Sequence, residues 1–125
     1  MGKMSLQARW KSFTHAWSGL CELVVTEANA RIHVAASLAV LALGLLLGLA
    51  PWEWVAIILA TALVWTAEAL NSALERLADA VTRDVHPSIR AAKDIAAGAV
   101  LAAAIGAAGV GALVLGPRLW ALLAS

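Results

Sequence analysis

Glu68, Asn71, Glu75 and Asp79 fall within one stretch, WTAEALNSALERLADA (residues 65–80), that continues a long apolar run. On a helix successive residues turn by about 100°, so Glu75 and Asp79 each come within roughly 20° of Glu68, with Asn71 about 60° away. The stretch therefore carries one polar ridge. Asp79 and Glu75 can be read as the solvated end of a helix. Glu68 cannot, because Val64, Trp65, Ala67, Ala69 and Leu70 surround it in sequence. A carboxylate in such surroundings needs a partner or a cavity, and it can act as a general base. Glu27 and Asp94 are two further acidic positions, the second preceded by Lys93. Carboxylate ligands without cysteine suit magnesium, which binds through one or two carboxylates plus phosphates, and a lysine supplies a point charge for phosphate. Base, hard cation and phosphate charge at a membrane edge suggest phosphoryl transfer to a lipid. A proton or ion pathway uses similar residues.

The elements that must hold these residues are apolar helices. The chain has 125 residues, 62% of them hydrophobic and only 14% charged, where a soluble domain is about half apolar and a quarter charged. The length allows a single domain, residues 1–125. Residues 32–50, IHVAASLAVLALGLLLGLA, are long enough at about 1.5 Å per residue to cross a hydrocarbon core of roughly 30 Å. Pro51 ends that run, and a second helix is expected over 52–81. It places Glu68 about 24 Å down the axis from Trp52, at the far edge of the hydrocarbon. VTRDVHPSIRAAK is a polar connection, with Pro87 opening a short helical turn. A third span is expected over 94–116, stopped by Gly116-Pro117. The fold class is thus an all-α membrane protein. Cys21 is the only cysteine, which excludes an intramolecular disulfide and a cysteine-built metal cluster. The first apolar run begins too deep for a cleavable signal peptide.

Residues 5–28 form a different kind of helix. Leu6, Trp10, Phe13, Trp17, Leu20 and Val24 recur at spacings of three and four, while Lys11, His15, Ser18 and Glu22 take the opposite face. This amphipathic pattern suits a helix lying in the membrane interface. Eight of the nine Lys and Arg residues precede the first span or flank the second connection, and the turn APWEW carries none. The N-terminus and the ridge are therefore expected in the cytoplasm and the C-terminus outside. Trp52, Trp54 and Trp120 would anchor the outer interface, and Trp65 would pack internally. A conducting subunit would need a polar path across the whole membrane. The outer half of the second span offers only Thr61, and the other spans little beyond Ser37.

Three stretches together resemble the small prokaryotic diacylglycerol kinase and undecaprenol kinase family. EALNSALERLAD is similar to its pattern E-x-x-N-[ST]-[AS]-[IL]-E-x-x-x-D, AAKDIAAGAVL to its second signature, and FTHAWSGLCELVVTEANARIH to its N-terminal segment. The resemblance covers residues from about 9 to 115. It implies transfer of the ATP γ-phosphoryl group to a lipid hydroxyl, by a homotrimer with active sites shared between subunits, at the inner bacterial membrane. It implies Glu68 as catalytic base and Asn71 as a positioning group. Glu27 and Glu75 would hold magnesium with the ATP phosphates. Asp79, Lys93 and Asp94 would bind nucleotide, with Asp84, Val85 and His86 of the connection. His15, where many members carry tyrosine, is placed with them. His33 stands where the diacylglycerol type tends to have glutamate and the undecaprenol type histidine, and this favours undecaprenol as acceptor. No nucleic-acid partner is implied. The chain has no G-x-x-x-x-G-K-[ST] loop for the phosphates.

The charge distribution yields a direct test of orientation. An impermeant thiol reagent applied to intact cells should label a cysteine placed at position 125 and spare one placed at position 2. The opposite pattern would invert the topology.

Overall fold

The computed structural model describes residues 5–125, and Lys3, counted above among the inner basic residues, lies outside them. The described chain is all helical: α1 (Leu6–Thr26), α2 (Ala28–Leu47), α3 (Pro51–Val81) and α4 (Pro87–Leu123). Helices α2, α3 and α4 are each long and apolar enough to cross a bilayer. In lipid every backbone group must be bonded internally, so helix is the form this composition can take.

Local chemistry sets the ends. The Ser5 hydroxyl accepts from the Ala8 N–H at 3.2 Å and caps α1. Glu27, in extended conformation, separates α1 from α2. Arg31 in the first turn of α2 donates to the Val25 carbonyl at 3.0 Å, so a cation meets the unsatisfied end of α1. Gly48 closes α2 with φ of 63°, a left-handed conformation that favours glycine. Pro51 and Pro87 open α3 and α4, where a missing N–H costs nothing.

Two expectations are corrected. Pro87 does not open a separate short turn; it begins α4 itself, because Ser88 to Lys93 contain no helix breaker. Gly116-Pro117 does not end the third span either, since α4 runs on to Leu123. Unwinding there would expose several backbone groups to lipid, whereas a proline inside a helix removes one bond. The residue after it is also anchored. Arg118 donates from Nε to Glu53 Oε1 at 3.0 Å, pairs with Oε2 through Nη2, and donates through Nη1 to the Leu47 and Gly48 carbonyls. Glu53 is 6% exposed and also accepts from the Ala50 N–H at 2.7 Å. One ion pair thus ties the end of α2, the start of α3 and the end of α4.

Beside it lies the apolar cluster of Leu49, Ile57, Val114 and Leu115. Trp54 packs here rather than standing free as an interface anchor. Its Cη2 lies 2.6 Å from where a Cβ on Gly44 would sit, so the close approach of α2 and α3 requires glycine. Trp52 and Trp120 are exposed, as anchors would be, and so are Leu6, Trp10, Phe13 and Trp17 of the α1 stripe.

Removing one partner of a buried pair strands the other, whereas removing both relieves the strain. Arg118→Met should lower the thermal midpoint in detergent by several degrees. Adding Glu53→Gln should restore part of that loss. Equal midpoints for wild type and Arg118→Met would show that the pair does not hold the helix ends.

Candidate active site

Glu68 is 2% exposed, the most buried large side chain described. It sits where α3 faces α2, with Oε2 at 3.6 Å from His33 Nε2. Oε2 has no hydrogen-bond partner, nor has the buried Oδ1 of Asn71 one turn further along. One turn before Glu68, Trp65 donates its indole N–H to Ser37 Oγ at 3.1 Å, and Ser37 donates to the His33 carbonyl at 2.6 Å. The Trp65 and His33 rings meet edge-on with centroids 6.4 Å apart. The α2–α3 crossing is thus polar at this level in an otherwise apolar bundle.

From His33 a groove of about 310 Å³ runs along the bundle toward the α2–α3 turn. Its walls include Val40 of α2, Ile57 and Val64 of α3, and Ala104, Ala107 and Gly111 of α4. The small side chains of α4 leave this space open. A second cavity of about 300 Å³ lies between α1 and α3, bounded by Gly19, Glu22, Leu23, Ser72 and Arg76.

Beyond Glu68 the ridge becomes ionic. Arg76 pairs with Glu22, reaches the Thr26 hydroxyl, and lies 3.6 Å from Glu27. It thereby joins the end of α1 to α3. Lys93 of α4 donates to Asp79 Oδ1 at 3.0 Å. The expected site residues are thus brought together in part. Glu68 and Asn71 share a buried turn, Asp79 meets Lys93, and Glu27 meets α3 through Arg76. Asp94 is exposed and turns to Arg90 at 4.0 Å on its own helix. His15, Asp84, Val85 and His86 are exposed, and no described hydrogen bond or ion pair joins them to Glu68.

Glu27 and Glu75 are half-buried. No group of three or more His, Cys, Asp or Glu gathers around one point among the described residues. Carboxylate oxygens are donors that magnesium accepts beside phosphates and water, but no described contact joins Glu27, which lies against Arg76, to Glu75.

Some residues around Glu68 are not singled out by the sequence. Ser72, 4% exposed, and Arg76 follow Glu68 by four and eight residues, about 40° and 80° around α3. That i, i+4, i+8 spacing was the available signal. The Ser37–Trp65 bond had none, since it joins two helices whose register the sequence leaves open.

The bundle thus sets a buried carboxylate behind His33 at the end of an apolar groove, with carboxylate–cation pairs beyond it. Comparison with known proteins gives the family. The family model for prokaryotic diacylglycerol kinase matches residues 14–115. An undecaprenol kinase of Bacillus subtilis is 45% identical over 91 residues, covering 73% of this chain and 74% of that protein. A diacylglycerol kinase of Synechocystis is 41% identical over 113 residues, covering 90% of this chain and 65% of that protein. The chain belongs to the prokaryotic diacylglycerol kinase family, as a multi-pass membrane lipid kinase. Nothing in these matches supports a transporter or a proton-conducting subunit.

Proposed function

We propose that the chain transfers the γ-phosphoryl group of ATP to the hydroxyl of a membrane lipid alcohol, with undecaprenol preferred over diacylglycerol. The products are undecaprenyl phosphate and phosphatidic acid respectively. The observation that carries this reading is Glu68, buried with an unpartnered oxygen 3.6 Å from His33, the residue at the end of an apolar groove of about 310 Å³. The lipid keeps its tail in the groove and brings only its hydroxyl to the carboxylate. Glu68 takes the hydroxyl proton as the acceptor oxygen bonds to the γ-phosphorus and the bond to the β-phosphate oxygen breaks, leaving ADP. Asn71, beside it, orients the reacting groups. Glu27 and Glu75 hold magnesium, which when bound neutralises charge on the phosphates. Lys93 and Asp79, already joined, would bind the nucleotide with Asp94, and His15, Asp84, Val85 and His86 would contact it. Holding reactants in line accounts for much of such a reaction.

Three helices enclose little by themselves, which favours association, and the resemblance implies a homotrimer whose subunits share sites. The positive charge beside Glu27 and Asp79 supports a cytoplasmic site in the bacterial inner membrane.

The deciding experiment offers purified protein magnesium, labelled ATP and both lipids side by side. Label should enter both, with the higher kcat/KM for undecaprenol. His33→Glu should move the ratio of the two kcat/KM values toward diacylglycerol even as overall turnover falls. A tenfold wild-type preference for diacylglycerol would overturn the acceptor assignment alone.

Glu68→Gln should lower turnover by about 10²- to 10⁴-fold, the usual cost of losing a general base, while nucleotide still binds. Turnover within about threefold of wild type would remove Glu68 from that role.

Glu27→Ala and Glu75→Ala should each weaken magnesium-dependent ATP binding in titrations. Unchanged affinity in both variants would remove them as metal ligands.

A further inference from the structure

The carboxylate of Glu68 has an unusual environment for its depth. A buried acceptor is almost always bonded, and leaving one unmet is costly, more so when it is charged. Yet Oε2 has no partner, and the group that faces it is His33 Nε2 at 3.6 Å. The gap exceeds a hydrogen bond by about 0.7 Å, which a small rotation of either side chain closes. Nε2–H is a donor in the imidazolium and in one of the two neutral tautomers. The ring is also held. Trp65 lies edge-on to it, and the His33 side chain is only 18% exposed. Trp65 is in turn tied to α2 through Ser37, so the histidine and the carboxylate sit on two helices locked together one turn away.

We propose that His33 is a positioning residue: its Nε2–H holds Oε2 of Glu68 and so presents the other carboxylate oxygen to the acceptor hydroxyl. The inference rests on the lipid kinase reading above and adds a residue to it. The terminal torsion of a glutamate is broad, so an untethered carboxylate samples many orientations. Tethering one oxygen leaves one orientation for the other, and orientation is what brings a base into reach of its proton. His33 also lines the head of the groove, so the same ring that fixes the base borders the place where the hydroxyl arrives.

Two substitutions separate tethering from packing. His33→Gln keeps an N–H that can reach the same oxygen, and His33→Leu keeps bulk without a donor. With a hydrogen bond to a charged group at stake, His33→Leu should lower kcat by about tenfold or more and leave the KM for magnesium–ATP unchanged. His33→Gln should stay within about threefold of wild type. Equal kcat for the two variants would overturn the proposal. A second measurement needs no turnover. The chain has three histidines, so ¹⁵N-histidine spectra of wild type and His33→Gln identify the His33 signals. The wild type should hold its Nε2–H in place, and Glu68→Leu should release it into a mixture of tautomers. A His33 signal unchanged by Glu68→Leu would equally overturn the tether. Should the wild type phosphorylate no lipid while the spectra show the histidine locked by Glu68, the kinase reading falls and the tether stands.

Discussion

A carboxylate buried between apolar helices must be met by donors, and α3 carries two such groups that are met very differently. Glu53 accepts from Arg118 through both oxygens and from the Ala50 N–H. Its bonding capacity is nearly filled, and it acts as a structural joint for three helix ends. Glu68, on the same helix, has one histidine beyond bonding distance and an oxygen with no partner. A filled site is finished when the chain folds. An unfilled one keeps capacity for a ligand, and the fold must hold it open against collapse. The close Gly44–Trp54 approach and the Ser37–Trp65 bond do this, because both fix how near α2 comes to α3 on either side of the groove.

The charges beyond Glu68 follow a related logic. Arg76 is shared among Glu22, Thr26 and Glu27, and Lys93 is held by Asp79. Each cation is paired with a carboxylate. At such exposed positions the pairs add little stability, so exchanging one partner for another is inexpensive. Arg76 matters in this respect, since it competes with any cation for Glu27 while staying tied to Glu22. Were Glu27 to hold the proposed metal, Arg76 would keep two other partners, Glu22 and Thr26.

Much of this could be read from the chain alone. Three apolar runs, the basic flanks and the isolated Glu68 follow from periodicity and composition, and they give the three long apolar helices and the buried carboxylate. The continuous α4 was missed because proline was weighed by its local rule, while the membrane makes unwinding costlier than one lost bond. Trp54 was misplaced for a similar reason. Tryptophan near a span end is usually an anchor, but here a glycine notch one helix away accepts it. Partners across helices, such as Arg118 with Glu53 and His33 with Glu68, depend on register and rotation. No single segment encodes these.

The polar inventory of the groove bears on what can occupy it. Ser37 spends its O–H on the His33 carbonyl, and Trp65 spends its N–H on Ser37. The α4 wall contributes Ala104, Ala107, Ala108 and Gly111, with no side-chain donor. An acceptor with ester carbonyls gains hydrogen bonds only where free donors await it, and unmet carbonyls in such a wall are penalised. An acceptor whose sole polar group is the reacting hydroxyl loses nothing there. With His33 committed to Glu68, the Thr61 hydroxyl is the one lining donor left without a described partner, so a lipid with ester carbonyls finds little there to bond. On the proposed preference for a single-hydroxyl lipid, the groove would act through scarce hydrogen bonds, so a residue that frees or adds a polar group at this level should change acceptor choice without altering the fold.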